Sequence, residues 1–306
     1  MTGDAGGTGA TLLGSLPLAF TKMSGAGNDF LVFGEQVETG ANEIAAIRRL
    51  CRRGTGVGAD GVLFVTAERP GDPASRVLTE YRNADGSVGR FCGNGTRCAA
   101  RFAVLRGFAP PACVVLTGWG AVGARVSPSG RVTLDLPEPV AIARAIPALD
   151  PHGDTLEGDA FALLVGVPHV VAFVKEHVAL ETLDLSVLGP AHRRHPAMKD
   201  GANANFAKVL SPSRLSLRTW ERGVEAETLA CGSGAVAAAV VASFLRGFAP
   251  PVSVATRSGE TLGVGFAPSG EIARDVTLEG DARIVFEGAL DPSEWAEPGD
   301  GPAFAI

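Results

Sequence analysis

Two cysteines occur in the same short motif at two places in the chain. Cys92 begins Cys-Gly-Asn-Gly and Cys231 begins Cys-Gly-Ser-Gly, and each motif precedes a run of small residues with helical composition. A cysteine just before a helix meets unpaired backbone N–H groups and the positive end of the helix dipole, which favour a thiolate. The glycines allow close backbone approach, so the same N–H groups could hold a carboxylate. The pattern predicts a pair of reactive thiols.

Two facing thiols suit one particular reaction. If an α-amino acid lies between them with its carboxylate on the helix N-termini, one thiolate can remove the α-proton while the opposite thiol protonates the other face. The configuration at Cα is then inverted, and the N–H groups stabilise the charge that develops on the carboxylate. This hypothesis requires no metal and no organic cofactor. The alternative is that both motifs are only helix-capping turns in which cysteine serves as a small apolar residue.

An internal repeat would bring the two motifs to equivalent positions. Residues 105–111 recur unchanged at 245–251, and Pro-Ser-Gly at 128–130 recurs at 268–270. Each half has one Ala-containing helical run followed by alternating, strand-like segments, which predicts a buried helix with a mostly antiparallel sheet. We therefore expect an α+β protein of two pseudo-symmetric domains. The boundary is predicted near the turn at 137–139.

The composition limits the classes of function. The chain has 306 residues, 46% of them apolar, and a formal net charge of −6. That length allows about two domains, and the acidic balance argues against a nucleic-acid partner. The longest uncharged apolar run, 230–245, is shorter than the ~20 residues of a membrane helix. The five cysteines lack Cys-x-x-Cys spacing and the Gly-rich start lacks a basic segment, so we expect reduced thiols in a cytoplasmic protein.

Two weaker motifs are assigned to structure rather than to chemistry. The glycines at 56, 58 and 61 have dinucleotide-binding spacing, but a helix-like stretch precedes them and a strand-like one follows, the reverse of the order that a pyrophosphate site needs. They are predicted to form a turn before a strand. His192 and His195 have no further ligand at metal-binding spacing, so we expect an exposed loop there and no metal site.

Seven stretches of the chain resemble diaminopimelate epimerase, a family of cofactor-independent amino-acid epimerases with two cysteines. They run in the family's order from about residue 17 to 290: KMSGAGNDFLVF (22–33), RRGTGVGADGVLFV (52–65), YRNADGS (81–87), CGNGTRCAARF (92–102), GVPHVV (166–171), NANFAKV (203–209) and WERGVEAETLACGSGA (220–235). The resemblance implies two domains, each a curved, mostly antiparallel sheet around the helix that follows its cysteine. It implies domains at 17–138 and 139–281, a strand at 282–290 that returns to the first, a disordered extension at 1–16 and a tail at 291–306.

The resemblance also implies a role for individual residues. Cys92 and Cys231 would be the acid–base pair, and His169 and Glu221 would assist them, one near each thiol. Arg222 would form a bidentate pair with the distal carboxylate of the substrate. The full set of implied substrate-binding residues is Asn28, Asn83, Gly93, Asn94, Asn203, Glu221, Arg222, Gly232 and Ser233.

Several of these roles have a structural alternative. Asn28 and Asn83 could serve only as turn residues. His169 could be a core histidine whose hydrogen bonds are satisfied within the protein. Glu221 and Arg222 could form a solvated surface pair.

Two departures from the family pattern concern the substrate rather than the proton transfer. The family usually has Asn-Pro-His where this chain has Val167-Pro168-His169, and valine offers no hydrogen bond to the distal end of a substrate. Before the first thiol the family often has acidic residues where this chain has Arg90. The charge of Arg90 would favour the thiolate of Cys92.

The leading hypothesis is the interconversion of LL- and meso-diaminopimelate, which serves lysine and peptidoglycan precursor synthesis. Val167 keeps open a related racemase of another amino acid, such as histidine. A cysteine hydrolase that uses Cys92 and His169, and a non-catalytic amino-acid-binding protein, are the remaining alternatives. The expected partner is a small-molecule amino-acid substrate, and the sequence is compatible with a homodimer.

Overall fold

The computed structural model describes residues 18–34, 38–39, 43–72, 76–136, 138, 140–291 and 304–305. The predicted extension at 1–16 and nearly all of the predicted tail at 291–306 therefore lie outside the described residues. Within the described part of the chain, no helix is long and apolar enough to cross a membrane.

The first half contains two helices and nine strands within its described residues. The helices are α1 (Glu43–Cys51) and α2 (Gly93–Leu105). The strands are β1 (Leu18–Gly25), β2 (Asn28–Phe33), β3 (Glu38–Thr39), β4 (Gly61–Ala67), β5 (Val77–Asn83), β6 (Val88–Gly89), β7 (Ala112–Thr117), β8 (Gly120–Val126) and β9 (Val132–Asp135). The glycines at 56, 58 and 61 lie in a turn between α1 and β4, as predicted.

The described residues after the boundary add a second set of elements. The helices are α3 (Leu185–Arg193) and α4 (Gly232–Arg246), with a short 3₁₀ turn at Leu180–Thr182. The strands are β10 (Val140–Pro147), β11 (Leu156–Val165), β12 (Val167–Val174), β13 (Asn203–Ser211), β14 (Arg214–Glu221), β15 (Ala226–Thr228), β16 (Val252–Ala255), β17 (Thr261–Ser269), β18 (Ile272–Gly280), β19 (Arg283–Leu290) and β20 (Phe304–Ala305).

The same order of strand pairing occurs in both halves. In the first, β2 is parallel to β4, β4 antiparallel to β5, and β5 parallel to β7, which continues as the antiparallel β7–β8–β9. In the second, β12, β13, β14 and β16 repeat these relations, and β16–β17–β18 form the antiparallel continuation. The prediction of an α+β fold with two pseudo-symmetric, mostly antiparallel halves is confirmed.

Each half is built around the helix that follows its cysteine. Helix α4 is buried along 234–242, where alanine and valine predominate, and such small residues let strands approach from several sides. It ends at Gly247, whose φ of 66° lies in the left-handed region that glycine tolerates. Helix α2 is buried in the same way in the core of the first half.

Two pairings join the halves into one sheet. Strand β18 pairs with β9, with Leu278 opposite Leu134, so a strand of the second half continues the sheet of the first. Strand β19 pairs with β1, from Leu18 opposite Leu290 to Ser24 opposite Arg283. The end of the described second half therefore supplies an edge of the first. The division into domains at residue 138 stays a prediction.

The prediction of an exposed loop around His192 and His195 is wrong. His192 lies inside α3 and is fully buried, and His195 is only 4% exposed. His192 Nδ1 donates to Leu188 O at 2.9 Å while its Nε2 accepts from Leu149 N at 3.1 Å. His195 Nε2 is hydrogen-bonded to the backbone oxygen of Pro147 at 3.0 Å. The two imidazoles are buried because they satisfy backbone groups near the end of β10.

Candidate active site

Both motif cysteines are N-cap residues of the central helices. Cys92 precedes α2 with φ −141° and ψ 112°, and Cys231 precedes α4 with φ −116° and ψ 109°. The Cys92 Sγ atom accepts from Gly95 N at 3.5 Å, and the Cys231 Sγ atom accepts from Gly234 N at 3.4 Å. The two sulfurs therefore have the same backbone geometry, at the positive ends of two helix dipoles.

The two motifs approach each other around one leucine side chain. A Cβ atom placed on Gly93 would lie 3.3 Å from Leu278 Cδ2, and one placed on Gly232 would lie 2.9 Å from the same atom. The Gly232 position is also 3.7 Å from the Oδ1 atom of Asn94 by the same construction. A side chain at 232 would require the leucine side chain to move. The structure thus brings both helix starts next to the same methyl group of Leu278.

Asn94 connects the first motif with the loop before the second thiol. Its Nδ2 atom donates to Asn28 Oδ1 at 2.5 Å and to Ala230 O at 3.3 Å. Asn28 in turn donates to the carboxylate of Asp60 at 3.0 Å. Asn28 and Asn94, both expected near the substrate, therefore lie together, and Asp60 is an additional site neighbour that the sequence did not indicate.

A second group of polar residues gathers where three strands of the second half begin or end. His169, near the start of β12, lies opposite Asn203 at the start of β13. Glu221 ends β14, and the backbone N–H of Arg222 donates to Asn203 Oδ1 at 2.8 Å. Strand pairing thus brings four of the predicted residues to the same end of these strands: His169, Asn203, Glu221 and Arg222.

The carboxyl group of Glu221 lies beside the second thiol. It accepts a hydrogen bond from the Thr228 hydroxyl at 2.7 Å, and it is close enough to Cys231 for the two groups to shift each other's pKa. The residue is half-buried; burial raises the pKa of Glu221, and its interactions with Thr228 and Cys231 oppose that shift. This position does not fit a fully solvated Glu221–Arg222 surface pair. Glu221 is therefore the candidate acceptor for the thiol proton of Cys231.

Burial controls the ionisation of both thiols. It raises the pKa of Cys92 and raises that of Cys231 well above the usual value, and the negative charge of Glu221 acts in the same direction on both. The N–H groups of Gly95 and Gly234 lower the two pKa values by a smaller amount. The expectation that the helix N-termini bring the thiols toward a neutral pKa is therefore wrong in direction, because desolvation outweighs the helix ends.

The cation that acts on the first thiol is Arg97, on α2. It is fully buried, and its charge lowers the pKa of Cys92 against the effect of burial. Arg90, the cation indicated by the sequence, is exposed and lines a small cavity of about 10 Å³ that is also lined by Cys92 and Tyr81. The signal that could have identified Arg97 is a charge between the cysteine motif and the buried, alanine-rich part of the predicted helix.

His169 is a buried, neutral imidazole. Burial, and then the charge of Arg222, lower its pKa to about 3. The side-chain amide of Asn205 donates to Nδ1 at 3.1 Å, which leaves the ring proton on Nε2. That Nε2 atom is buried without a hydrogen-bond partner among the described residues, so the alternative of a satisfied core histidine does not hold. None of its described hydrogen bonds reaches a thiol.

Three further residues discussed from the sequence are Asn83, Ser233 and Val167. Asn83 ends β5 and donates to the Ser87 hydroxyl at 2.9 Å, so it does close a turn. The Ser233 hydroxyl is 3.5 Å from Cys231 Sγ. Val167 begins β12 and is 36% exposed. Among the residues that the structure describes, no three His, Cys, Asp or Glu side chains are grouped as a metal site.

Solved structures of other proteins, among them an epimerase, share this fold. A hydroxyproline epimerase from Agrobacterium vitis superposes with a TM-score of 0.57 at 14% identity, covering 90% of this chain and 91% of that one. A phenazine biosynthesis protein of the PhzF family from Bacillus anthracis gives a TM-score of 0.62 at 13% identity, covering 90% and 99%. These similarities establish the shared fold.

Sequence comparison then identifies the family within this fold. Residues 20–141 and 161–263 match the family described as diaminopimelate epimerase. A curated diaminopimelate epimerase from Aquifex aeolicus is 37% identical over an alignment of 289 residues that covers 89% of this chain and 98% of the relative. The chain belongs to the diaminopimelate epimerase family, and the resemblance found in the sequence is confirmed.

Proposed function

We propose that this protein interconverts LL- and meso-diaminopimelate by proton transfer between two thiols. The observation that carries the proposal is the pair of N-cap cysteines, Cys92 and Cys231, whose motifs both lie next to Leu278 in a member of the diaminopimelate epimerase family. The protein is an isomerase of amino acids, and its substrate is a small molecule. It acts in the cytoplasm, in lysine biosynthesis and in the supply of peptidoglycan precursors.

The backbone at the two helix starts holds the reacting carboxylate. The N–H groups of Gly93 and Asn94 in α2, and of Gly232 and Ser233 in α4, are at the positive ends of the helices, where an anion is stabilised. Cα then lies between the two sulfurs. As one thiolate removes the α-proton, negative charge spreads onto the carboxylate, and the same N–H groups stabilise it.

The protons balance over one turnover. The Cys231 thiol loses its proton to Glu221, whose carboxylate acts on it electrostatically, and the resulting thiolate removes the α-proton of one stereoisomer. The Cys92 thiol donates its proton to the opposite face of Cα. The enzyme is left with a thiol at Cys231 and a thiolate at Cys92, which is the form that accepts the other stereoisomer. Return of the proton on Glu221 to Cys92 restores the starting form.

The distal amino-acid group binds at the strand ends beside the thiols. Arg222 and Asn203, held together by a backbone hydrogen bond, provide charge and amide donors there, and Asn83 completes the group from the first half. The unpartnered Nε2–H of His169 gains an acceptor when substrate binds. A buried donor without a partner is unfavourable, so its satisfaction favours the bound state.

A second candidate substrate follows from one residue. Val167 is partly exposed at the start of β12, where the family usually has an asparagine that helps to bind the distal end. A related racemase of another amino acid, such as histidine, is therefore the alternative. The protein could also form a homodimer, which light scattering of the purified chain would detect.

The decisive experiment uses reduced protein and LL-diaminopimelate in D₂O, followed by NMR. We expect meso product that carries deuterium at Cα. If neither product nor deuterium appears while both thiols titrate as free, diaminopimelate is the wrong substrate. A panel of amino acids that includes histidine, assayed for α-deuterium uptake, then identifies the correct one.

A further inference from the structure

A fully buried arginine lies directly behind the first Cys-Gly motif. Arg97 is 0% exposed, one turn into α2. Its Nη2 atom donates to Asn94 Oδ1 at 2.8 Å, its Nε atom to Asp281 O at 3.1 Å, and its Nη1 atom to Gly93 O at 3.4 Å. All three acceptors are neutral oxygen atoms, and two of them belong to the motif itself.

A buried cation with neutral acceptors is unfavourable, yet the surrounding backbone is shaped to contain it. Desolvation of a guanidinium is only partly offset by hydrogen bonds to carbonyl groups. A Cβ atom on Gly280 would lie 2.8 Å from Nε and 2.9 Å from Cζ of Arg97, so the glycine leaves room for the guanidinium. The equivalent residue of α4 is Val236, also fully buried. A central helix of this fold therefore does not need an arginine at this position to pack.

The arginine determines the orientation of Asn94. A guanidinium has only donors, so Asn94 must present its Oδ1 atom to Arg97. The amide nitrogen is then directed to Asn28 Oδ1 and to Ala230 O. Ala230 immediately precedes Cys231. One guanidinium thus orients the side chain that links the motif of the first thiol to the loop of the second.

We propose that Arg97 is a positioning residue for proton transfer: through Gly93 and Asn94 it fixes the placement of the two thiols. Because the guanidinium contacts the two residues that follow Cys92, removal of its charge also affects that thiol. The role in turnover rests on the proposed function, whereas the effect on the thiol does not. The titratable and charged groups that act on Cys92 or on Arg97 are Glu221, Tyr81, Cys98, Asp281 and Arg131. The cation that acts on Cys92 from α2, the helix that Cys92 caps, is Arg97 itself.

The first test measures the thiol without substrate. In a Cys231→Ser background, the rate at which iodoacetamide alkylates Cys92 is followed against pH by peptide mass spectrometry. Arg97→Met removes the charge at similar length, and we expect the midpoint of the profile to rise by about one pH unit or more. The matched control is Arg101→Met on the next turn of α2, because Arg101 donates to Ala282 O at 2.6 Å and does not contact the motif. Its midpoint should equal that of the Cys231→Ser parent.

The second test measures turnover. Arg97→Met should lower kcat about 100-fold while KM changes less than about fivefold, because the thiols are misplaced rather than the distal contacts. Arg97→Lys keeps the charge but cannot hold both Asn94 and Asp281, so its alkylation midpoint should match the parent while kcat falls about tenfold. An unchanged midpoint in Arg97→Met, or a parental kcat in Arg97→Lys, overturns the proposal. If Arg97→Met does not fold, Arg97→Lys alone decides. If the wild type does not epimerise diaminopimelate, the alkylation profiles still test Arg97.

Discussion

The two Cys-Gly motifs have the same backbone and different chemical surroundings. Behind Cys92 is the buried cation Arg97, where the second half has Val236. Beside Cys231 is the half-buried carboxyl group of Glu221, whose negative charge raises the pKa of the thiol. A duplicated fold has thus placed a positive charge near one sulfur and a proton acceptor near the other. Equivalent positions in a repeat need not have equivalent functions.

The strand register explains where this difference arises. Asn83 ends β5 opposite Gly61, the first residue of β4. In the second half, Glu221 ends β14 directly after Trp220, which lies opposite Ala204 of β13. Asn83 and Glu221 therefore occupy matching strand ends, one neutral and one acidic. Only the second thiol has a carboxyl group at this position.

Loss of either thiol should have the largest effect. Cys92→Ser and Cys231→Ser should each lower the rate of epimerisation by about 10²- to 10⁴-fold, because each removes one of two required proton-transfer groups. The measurement is meso product formation from LL-diaminopimelate. Cys113→Ser, which changes a thiol on β7, is the control and should keep full activity. Full epimerisation by Cys231→Ser would refute the two-thiol mechanism.

Replacement of Glu221 should remove the acidic group that distinguishes the surroundings of Cys231 from those of Cys92. Glu221→Gln should lower kcat about 100-fold, since the direct acceptor of the Cys231 proton is lost. The negative charge of Glu221 raises the pKa of Cys231, so in a Cys92→Ser background the alkylation profile of Cys231 should move to lower pH. Glu225→Gln, an exposed carboxyl group beside Arg193, is the matched control. A Cys231 profile that stays in place would refute the assigned interaction.

His169, in the second half of the chain, should make the free energy of unfolding depend on pH. Its pKa is about 3 in the folded protein against about 6.5 in the unfolded chain, so its full contribution is present above pH 6.5 and is lost as the pH falls toward 3. Between pH 7 and pH 5 the wild type should lose about 2 kcal/mol that His169→Gln does not lose. Urea unfolding at both pH values measures the difference. Equal losses in the two proteins would show that His169 is accessible to protons.

A polar residue at position 167 should have the smallest effect. The first half has Asn28 at the start of β2, whereas the second has Val167 at the start of β12. Val167→Asn adds a side chain that can hydrogen-bond, and it should lower the KM for diaminopimelate about fivefold, as expected for about 1 kcal/mol. Val167→Leu is the apolar control and should not improve binding. If the asparagine variant instead loses affinity, the substrate's distal group does not contact this position.

Features set by local sequence were predictable. Both central helices, their cysteine caps and the turn before β4 follow from glycine placement and from runs of small residues, which act over a few positions. The repeat then implied that the thiols occupy equivalent positions. The choice of the two cysteines followed from that symmetry, whereas Asn28 and Asn94, which lie together in the structure, were indicated only by the resemblance to the family.

Features that depend on distant partners were not predictable. Arg97 and His192 are polar residues that are usually exposed, and both are fully buried here. Their burial depends on backbone groups far away in the sequence, Asp281 O for the arginine and Leu149 N for the histidine. The predicted direction of the thiol pKa shifts was wrong for a related reason. Burial is a property of the assembled core, and its effect on the pKa outweighs the local effect of a helix end.

The pairing of β1 with β19 determines when the first half can be completed on the ribosome. β1 lies between β2 and β19, and β19 is translated almost a whole chain later. Until residues 283–290 emerge, the growing chain exposes one edge of β1 and lacks the contact between Phe20 and Phe286, whose ring centroids are 5.9 Å apart. Asp281, which accepts from Arg97, is also made late. The nascent chain therefore has both cysteines long before it has the supports that make the first one functional.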